Sequence, residues 1–304
     1  MIKNITVTNY LGESLLLELM FPENSGFVIK EITGLGPSKA VINSTELSTS
    51  DGSVFNSSRI ESRNIVFNLK ILASPTIEAA RQKLYKYFPI KKRIKLQFET
   101  DTRICDIFGY VETNEVVIFS NQVSTQISVI CPDPYFYSAG SDAKTVTLFS
   151  GVEAAFEFPF SNESLTLPLL VFGEIRLDQE RNIYYNGDSE TGLTIYIHAL
   201  GEATNLTIYN IATSEFMKID TVRLTTLTGF PIIAGDDIII STIKGCKYIS
   251  LLRGGSYINI LNCLDLNSTW FQLTKGDNQF GFVAETGETT LQFRVENYKV
   301  FEGI

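Results

Sequence analysis

Apolar and polar residues alternate at a period of two through most of this chain. That pattern restricts the fold to half-buried antiparallel strands, because successive side chains on a strand point to opposite faces. Ile65, Phe67, Leu69 and Ile71 alternate with Val66, Asn68 and Lys70, and Ile94, Leu96 and Phe98 with Lys95, Gln97 and Glu99. Val123, Thr125, Ile127, Val129 and Cys131 oppose Ser124, Gln126 and Ser128; Leu193, Ile195, Ile197 and Ala199 oppose Thr194, Tyr196 and His198. The spacing predicts a mainly β protein. With 304 residues, 44% of them hydrophobic and 19% charged, the chain can bury one large all-β core or two ordinary ones, and it is not a disordered sequence.

One segment departs from period two. Ile77, Ala80, Leu84 and Phe88 fall at helical spacing, which predicts one amphipathic helix over about 75–88 packed on a sheet. Ser74 suits its N-cap and Pro75 its first position; Glu78 sits near the positive end, Lys83 and Lys86 toward the negative end, and Pro89 stops it. Further on, Cys131-Pro132-Asp133-Pro134 ends a strand, and Ser138-Ala139-Gly140-Ser141-Asp142 reads as a linker. These signals set domains at 1–137 and 145–304 joined by 138–144. Residues 33–58, from Thr33-Gly34-Leu35-Gly36-Pro37 to Asp51-Gly52 and Ser57-Ser58, are rich in Gly, Ser, Thr and Asn. So long a stretch is either a mobile loop or an arm whose partner is another chain, and composition by itself favours the loop.

The chemistry of the chain is largely one of exclusions. Lys and Arg number 25 against 34 Asp and Glu, a net charge of −9, which excludes general affinity for nucleic acid. The one histidine, His198, excludes zinc centres built on two or three imidazoles, and it sits on an alternating strand with no Gly-x-Ser-x-Gly elbow to partner it. Cys105, Cys131, Cys246 and Cys263 form no CxxC pair and read as buried thiols of a chain made in a reducing compartment. Met1-Ile2-Lys3-Asn4 opens no secretory signal, and no apolar run is long enough to cross a membrane. Asp236 and Asp237 are adjacent on a strand and point to opposite faces, so they make a poor acid/base pair. Asp178, Glu180, Asp188 and Glu190 surround the Asn186-Gly187 turn without the spacing of a calcium loop. Gly34-Leu35-Gly36-Pro37 reads as a turn, Lys91-Lys92-Arg93 as a cap on the helix dipole, and Trp270, Phe271, Phe280 and Phe282 mostly as core. No catalytic, cofactor-binding or metal-binding residue is predicted.

The order of short motifs says more. Arg59-Ile60-Glu61-Ser62-Arg63-Asn64-Ile65 precedes the helix with Arg81, Leu84, Tyr85, Tyr87, Phe88 and Pro89. Then come Gly109-Tyr110-Val111-Glu112, Phe119-Ser120 and the exit Cys131-Pro132-Asp133-Pro134-Tyr135-Phe136. The second half continues with Asn186-Gly187-Asp188-Ser189-Glu190-Thr191-Gly192, His198-Ala199-Leu200-Gly201, Asn210-Ile211-Ala212-Thr213, Gly235-Asp236-Asp237-Ile238 and Trp270-Phe271-Gln272-Leu273-Thr274-Lys275-Gly276-Asp277-Asn278. In this collinear order, from about Ile29 to Tyr298, the chain resembles the distal tail proteins (Dit, siphovirus-type tail components) of long-tailed, non-contractile bacteriophages. Residues 150–185, with Phe156-Glu157-Phe158-Pro159-Phe160 and Leu167-Pro168-Leu169, match nothing in that pattern and read as the first strands of the second domain.

The resemblance implies two β-sandwich or barrel-like domains, the first with the single helix and an extended arm, the second galectin-like. It implies a homo-oligomer, a hexameric ring at the distal end of the tail in the virion. That ring joins the tail tube protein to a tail-associated hub protein and to receptor-binding or baseplate proteins. DNA would pass through the lumen without stable nucleic-acid binding, and acidic groups there would repel its phosphates. No membrane insertion, cofactor or catalysis is implied. The resemblance also turns 33–58 into an arm clasping the neighbouring subunit, with Leu35, Pro37, Val41, Ile42, Leu47, Val54 and Phe55 as its interface residues. The alternative is a carbohydrate-binding module contributing to host adsorption; Trp270 is present, but His198 has no Asn-Pro-Arg neighbour, so lectin activity is not inherited.

Overall fold

The alternating segments pair into antiparallel sheets in a computed structural model that describes residues 1–47, 51–72, 76–117, 123–153, 174–177 and 180–304. The expectations placed on Ser74-Pro75, Phe119-Ser120, Phe156–Phe160, Leu167–Leu169 and Asp178 lie outside these residues. The chain divides into two compact units: residues 1–143 with 300–304, and residues 144–299.

In the first unit, β1 (Ile2–Thr8), β2 (Ser14–Glu18), α1 (Pro22–Ser25) and β3 (Phe27–Thr33) are followed by β4 (Ala40–Glu46) and β5 (Ser53–Ile60). Next come β6 (Arg63–Ile71), α2 (Ile77–Tyr87), β7 (Arg93–Thr100), β8 (Ile104–Val117), β9 (Ser124–Cys131) and β10 (Phe136–Ser138). The main sheet runs β2-β1-β7-β8-β9-β6-β3. Its inward phase is the alternation read above: Ile5, Val7, Ile65, Phe67, Leu69, Ile94, Leu96, Phe98, Ile127 and Val129 are buried. The two edge strands, β2 and β3, are consecutive in the chain and are joined by α1. This short turn is a second helix in a unit expected to have one.

Helix α2 is shorter than the predicted span and starts from a different cap. Thr76, in extended conformation, accepts a hydrogen bond at its Oγ1 from the Ala79 amide at 3.2 Å. Ala80 and Leu84 are buried, and Phe88 packs its ring 5.9 Å from that of Phe67 on the sheet. Ile77, at the helix start, is exposed instead.

The second unit begins with β11 (Lys144–Leu148), β12 (Ser150–Glu153), β13 (Glu174–Leu177), β14 (Glu180–Tyr185) and β15 (Leu193–Ala199). It continues through β16 (Thr207–Asn210), β17 (Glu215–Lys218), α3 (Thr221–Thr228), β18 (Asp237–Ser241), β19 (Tyr248–Arg253), β20 (Ser256–Asn259), β21 (Gly276–Val283) and β22 (Leu291–Tyr298). A six-stranded sheet, β11-β22-β15-β18-β19-β20, faces a four-stranded one, β14-β21-β16-β17, and β12 pairs with β13. Phe282 of one sheet stacks on Phe293 of the other at 3.8 Å between centroids, so the inward phases of both share one core.

The chain then leaves this sandwich. Strand β23 (Val300–Phe301) pairs with β10 of the first unit. Residues 138–143, read as a linker, lie in the first unit as the end of β10 and a 3-10 turn at Gly140–Asp142. The last five residues, read with the second domain, belong to the first.

Candidate assembly interface

The described part of 33–58 holds two paired strands where composition favours a loop. Among the described residues β4 and β5 pair only with each other, from Ala40 opposite Ile60 to Glu46 opposite Ser53, with a bulge that leaves Asn56 unmatched. The register sorts its side chains: Ala40, Ile42, Phe55 and Ile60 share one face, Val41, Val54 and Arg59 the other. Polar pairs lace the outer rungs, Asn43 Nδ2 donating to Ser57 Oγ at 3.0 Å and Asn56 Nδ2 to Thr45 Oγ1 at 2.6 Å. A lone two-stranded hairpin is marginal in water. Yet this one leaves Ile42 65%, Phe55 62%, Val54 50% and Leu47 48% exposed.

Of the seven residues expected to form the interface, these four are exposed. Val41 is half-buried, and Leu35 and Pro37 serve at the root. Leu35 packs onto the first unit's core and its carbonyl accepts from the Ile304 amide at 3.2 Å, while Gly303 abuts Pro37.

The root is fixed by Arg63, which is only 3% exposed. Its guanidinium donates to four main-chain carbonyls: Nε to Pro134 at 2.6 Å, Nη1 to Gly34 at 2.6 Å and Gly36 at 2.5 Å, and Nη2 to Glu302 at 2.6 Å. The plane also lies 4.5 Å from the Phe136 ring centroid. Burial pulls the guanidinium pKa below its ordinary value. Among the described residues no carboxylate pairs with it, and four carbonyl dipoles hold the charge instead. Gly34 completes the joint at φ +84°, where a Cβ would stand 2.0 Å from the Asn64 carbonyl oxygen. Sequence reasoning missed Arg63, though a signal was there: it falls in the inward phase of the 65-67-69-71 alternation, where a charge needs a built site.

The remaining candidates are dispersed. Asp236 is buried and accepts a bidentate pair from Arg253, Nε to Oδ1 at 2.8 Å and Nη2 to Oδ2 at 2.5 Å, plus the Ile233 amide at 2.9 Å. Asp237 points the other way and meets His198, Oδ1 to Nδ1 at 2.6 Å. Asp188 lies 3.9 Å from Lys275, and Glu180 is exposed at the start of β14. Lys92 lies over Tyr10 and Arg93 over Phe108. Trp270 is half-buried against the second core, with the Lys247 ammonium 5.4 Å from its ring centroid. Cys105, Cys131 and Cys263 are buried free thiols, whereas Cys246, expected to be buried, is exposed in the turn before β19.

Residues 186–297, nearly the whole run from β15 to β22, match the family model of the siphovirus-type tail component, C-terminal domain. That stretch of the second unit is similar to a siphovirus-type tail component domain. This is the family to which the ordered motifs pointed. The chain is also similar to the crystal structure of the phage SPP1 Dit protein, described as a paradigm of the hub adsorption apparatus in phages infecting Gram-positive bacteria. That match has a TM-score of 0.66 at 13% identity and covers 98% of this chain and 99% of that one. It establishes the same mainly β fold along the chain. Two structures of the phage P2 baseplate in its activated conformation, with calcium and with strontium, give TM-scores of 0.48 and 0.47 at 12% identity, over 98% and 97% of both chains. Comparison with curated proteins gives no match.

Proposed function

We propose that this chain is a structural hub of a phage tail tip, without catalytic chemistry of its own. It builds a homohexameric ring that joins the tail tube to tail-tip and receptor-binding components and lets DNA pass. The observation that carries this reading is the hairpin: an apolar face left in water on an arm whose root is clamped. A ring needs a head-to-tail contact whose rotation closes, and a rigidly rooted arm sets such a rotation. Burial of Ile42 and Phe55 against a neighbouring copy would contribute about 1.5–3 kcal/mol per side chain, repeated at each interface. The family match in the second unit and the shared fold with SPP1 Dit support the same role. The net charge of −9 suits a lumen that does not retain phosphates.

Mass photometry with negative-stain electron microscopy of the concentrated protein tests it. Sixfold rings at six times the 34.0 kDa protomer mass are expected, and an Ile42→Glu, Phe55→Glu variant should stay monomeric with an unchanged far-UV spectrum. Intact rings from that variant would refute the arm as the ring contact.

A further inference from the structure

The outward face of the six-stranded sheet, which the assembly reading leaves unused, holds a cleft of about 410 Å³. That lies within the range of small-ligand sites. Cross-strand register builds its walls: His198 on β15 stands opposite Gln292 on β22 and Asp237 on β18, and Tyr196 stands opposite Arg294 and Ile239. Residues about forty to a hundred positions apart thus meet on two rungs of one sheet.

The chemistry of this face is specific. His198 Nδ1 is engaged by Asp237 Oδ1 at 2.6 Å, which orients the ring and leaves Nε2 and the second carboxylate oxygen for a ligand. The Gln292 amide adds a donor and an acceptor. Arg294 lies over the Tyr196 ring, its guanidinium carbon 4.4 Å from the centroid, a cation–π contact that restrains both side chains before a ligand arrives. Leu148, Ile239 and Leu252 supply an apolar floor. Charge decides the ligand class. Arg294 is 3.2 Å from Glu296, which also accepts from Lys144 at 2.9 Å. With Asp237, the described residues of this face carry two cationic and two anionic side chains, which leaves no surplus among them to attract an ion.

We propose that this cleft binds a neutral saccharide. A pyranose ring is apolar on one face and rimmed by hydroxyls that both donate and accept, which matches an apolar floor beside a mixed donor and acceptor set. Strand main-chain groups here are spent in the ladder, so recognition falls to side chains, and an extended peptide seeking a sheet edge gains nothing. The site differs from the one the sequence suggested, because Trp270 does not line it.

The test is an array of neutral glucose-, galactose- and N-acetylglucosamine-terminated oligosaccharides with sialylated and sulfated ones alongside. Saturation-transfer NMR on the best neutral ligand follows. Binding of at least one neutral glycan is expected, weakened tenfold or more by Gln292→Leu, His198→Ala and Arg294→Met, with the far-UV spectrum of each variant unchanged. Silence toward neutral glycans at millimolar concentration, a preference for the acidic ones, or binding that survives all three substitutions would overturn the proposal. Particle mass recorded on the same samples separates this outcome from the ring reading, since none of the three residues lies on the arm.

Discussion

Replacing Arg63 with methionine keeps much of the buried stem and removes the guanidinium, so the variant isolates the clamp. Four carbonyls lose their donor: Gly34 and Gly36 at the arm root, Pro134, and Glu302 in the returning tail. Hydrogen bonds from a charged donor contribute about 1.5–3 kcal/mol each. Burying the guanidinium costs several kcal/mol against that sum, and removing one side of such a buried arrangement typically costs about 3–5 kcal/mol net. The loss is local, because the core residues Phe67, Leu69, Leu84, Leu96 and Phe98 do not depend on it. Hydrogen exchange by mass spectrometry should therefore show amides in 34–36 and 300–304 exchanging about a hundredfold to several thousandfold faster, at a tenfold change per 1.4 kcal/mol. The amide of Ile304, bonded to Leu35, is the sharpest reporter. Arg63→Lys, with three donors on one nitrogen, should recover only part of the protection. Unchanged exchange at 300–304 would refute the clamp. Equal acceleration across β7 and β8 would show that Arg63 supports the whole core and not the root.

Gly34→Ala combines a left-handed backbone, costing about 1–3 kcal/mol for a non-glycine residue, with a Cβ 2.0 Å from the Asn64 carbonyl; a fall in urea midpoint together with lost ring formation is expected. Leu84→Ala opens a cavity under α2 and should destabilise the first unit by about 2–5 kcal/mol, while calorimetry of the second unit's transition stays unchanged. Burial pushes the Cys131 thiol up to about 12 and the Cys105 thiol to about 11, from 9.0 when free. Both stay protonated in the fold after the unfolded thiols ionise, so their contribution is complete below pH 9 and is lost as pH rises toward those values. The alkaline limb of the stability profile should flatten in a Cys105→Ala, Cys131→Ala variant. A thiol reagent at neutral pH should find one fast-reacting cysteine in the native protein, Cys246, and three only after unfolding.

The parts of the fold visible in the sequence are those written in one stretch of chain. The inward phases 65-67-69-71 and 193-195-197-199 are local records of a face, and every one of those residues is buried. The helix was legible from Ala80, Leu84 and Phe88, although its cap moved to Thr76 because the threonine hydroxyl already satisfies the Ala79 amide. The hairpin was not legible: Ala40–Glu46 and Ser53–Ile60 bury no face of their own, so they lack the alternation that marks a strand and carry the polar composition of a loop. The clamp and the cleft were hidden for a different reason. Arg63 is held by carbonyls, which every residue has, and the cleft's polar groups come from β15, β18 and β22, brought side by side only by the ladder.

The tail strap also fixes an order of events. Glu302 lies 239 residues after Arg63, and the whole second unit is synthesised between them. At roughly 5–20 residues per second, the first unit waits about 12–48 s for its last strand after β6 has emerged. During that interval its sheet can form while the joint that aims the hairpin lacks its final partner. The root of the hairpin gains its last hydrogen-bond donors and acceptors only when residues 300–304 arrive, so on the nascent chain the hairpin forms before the joint that aims it.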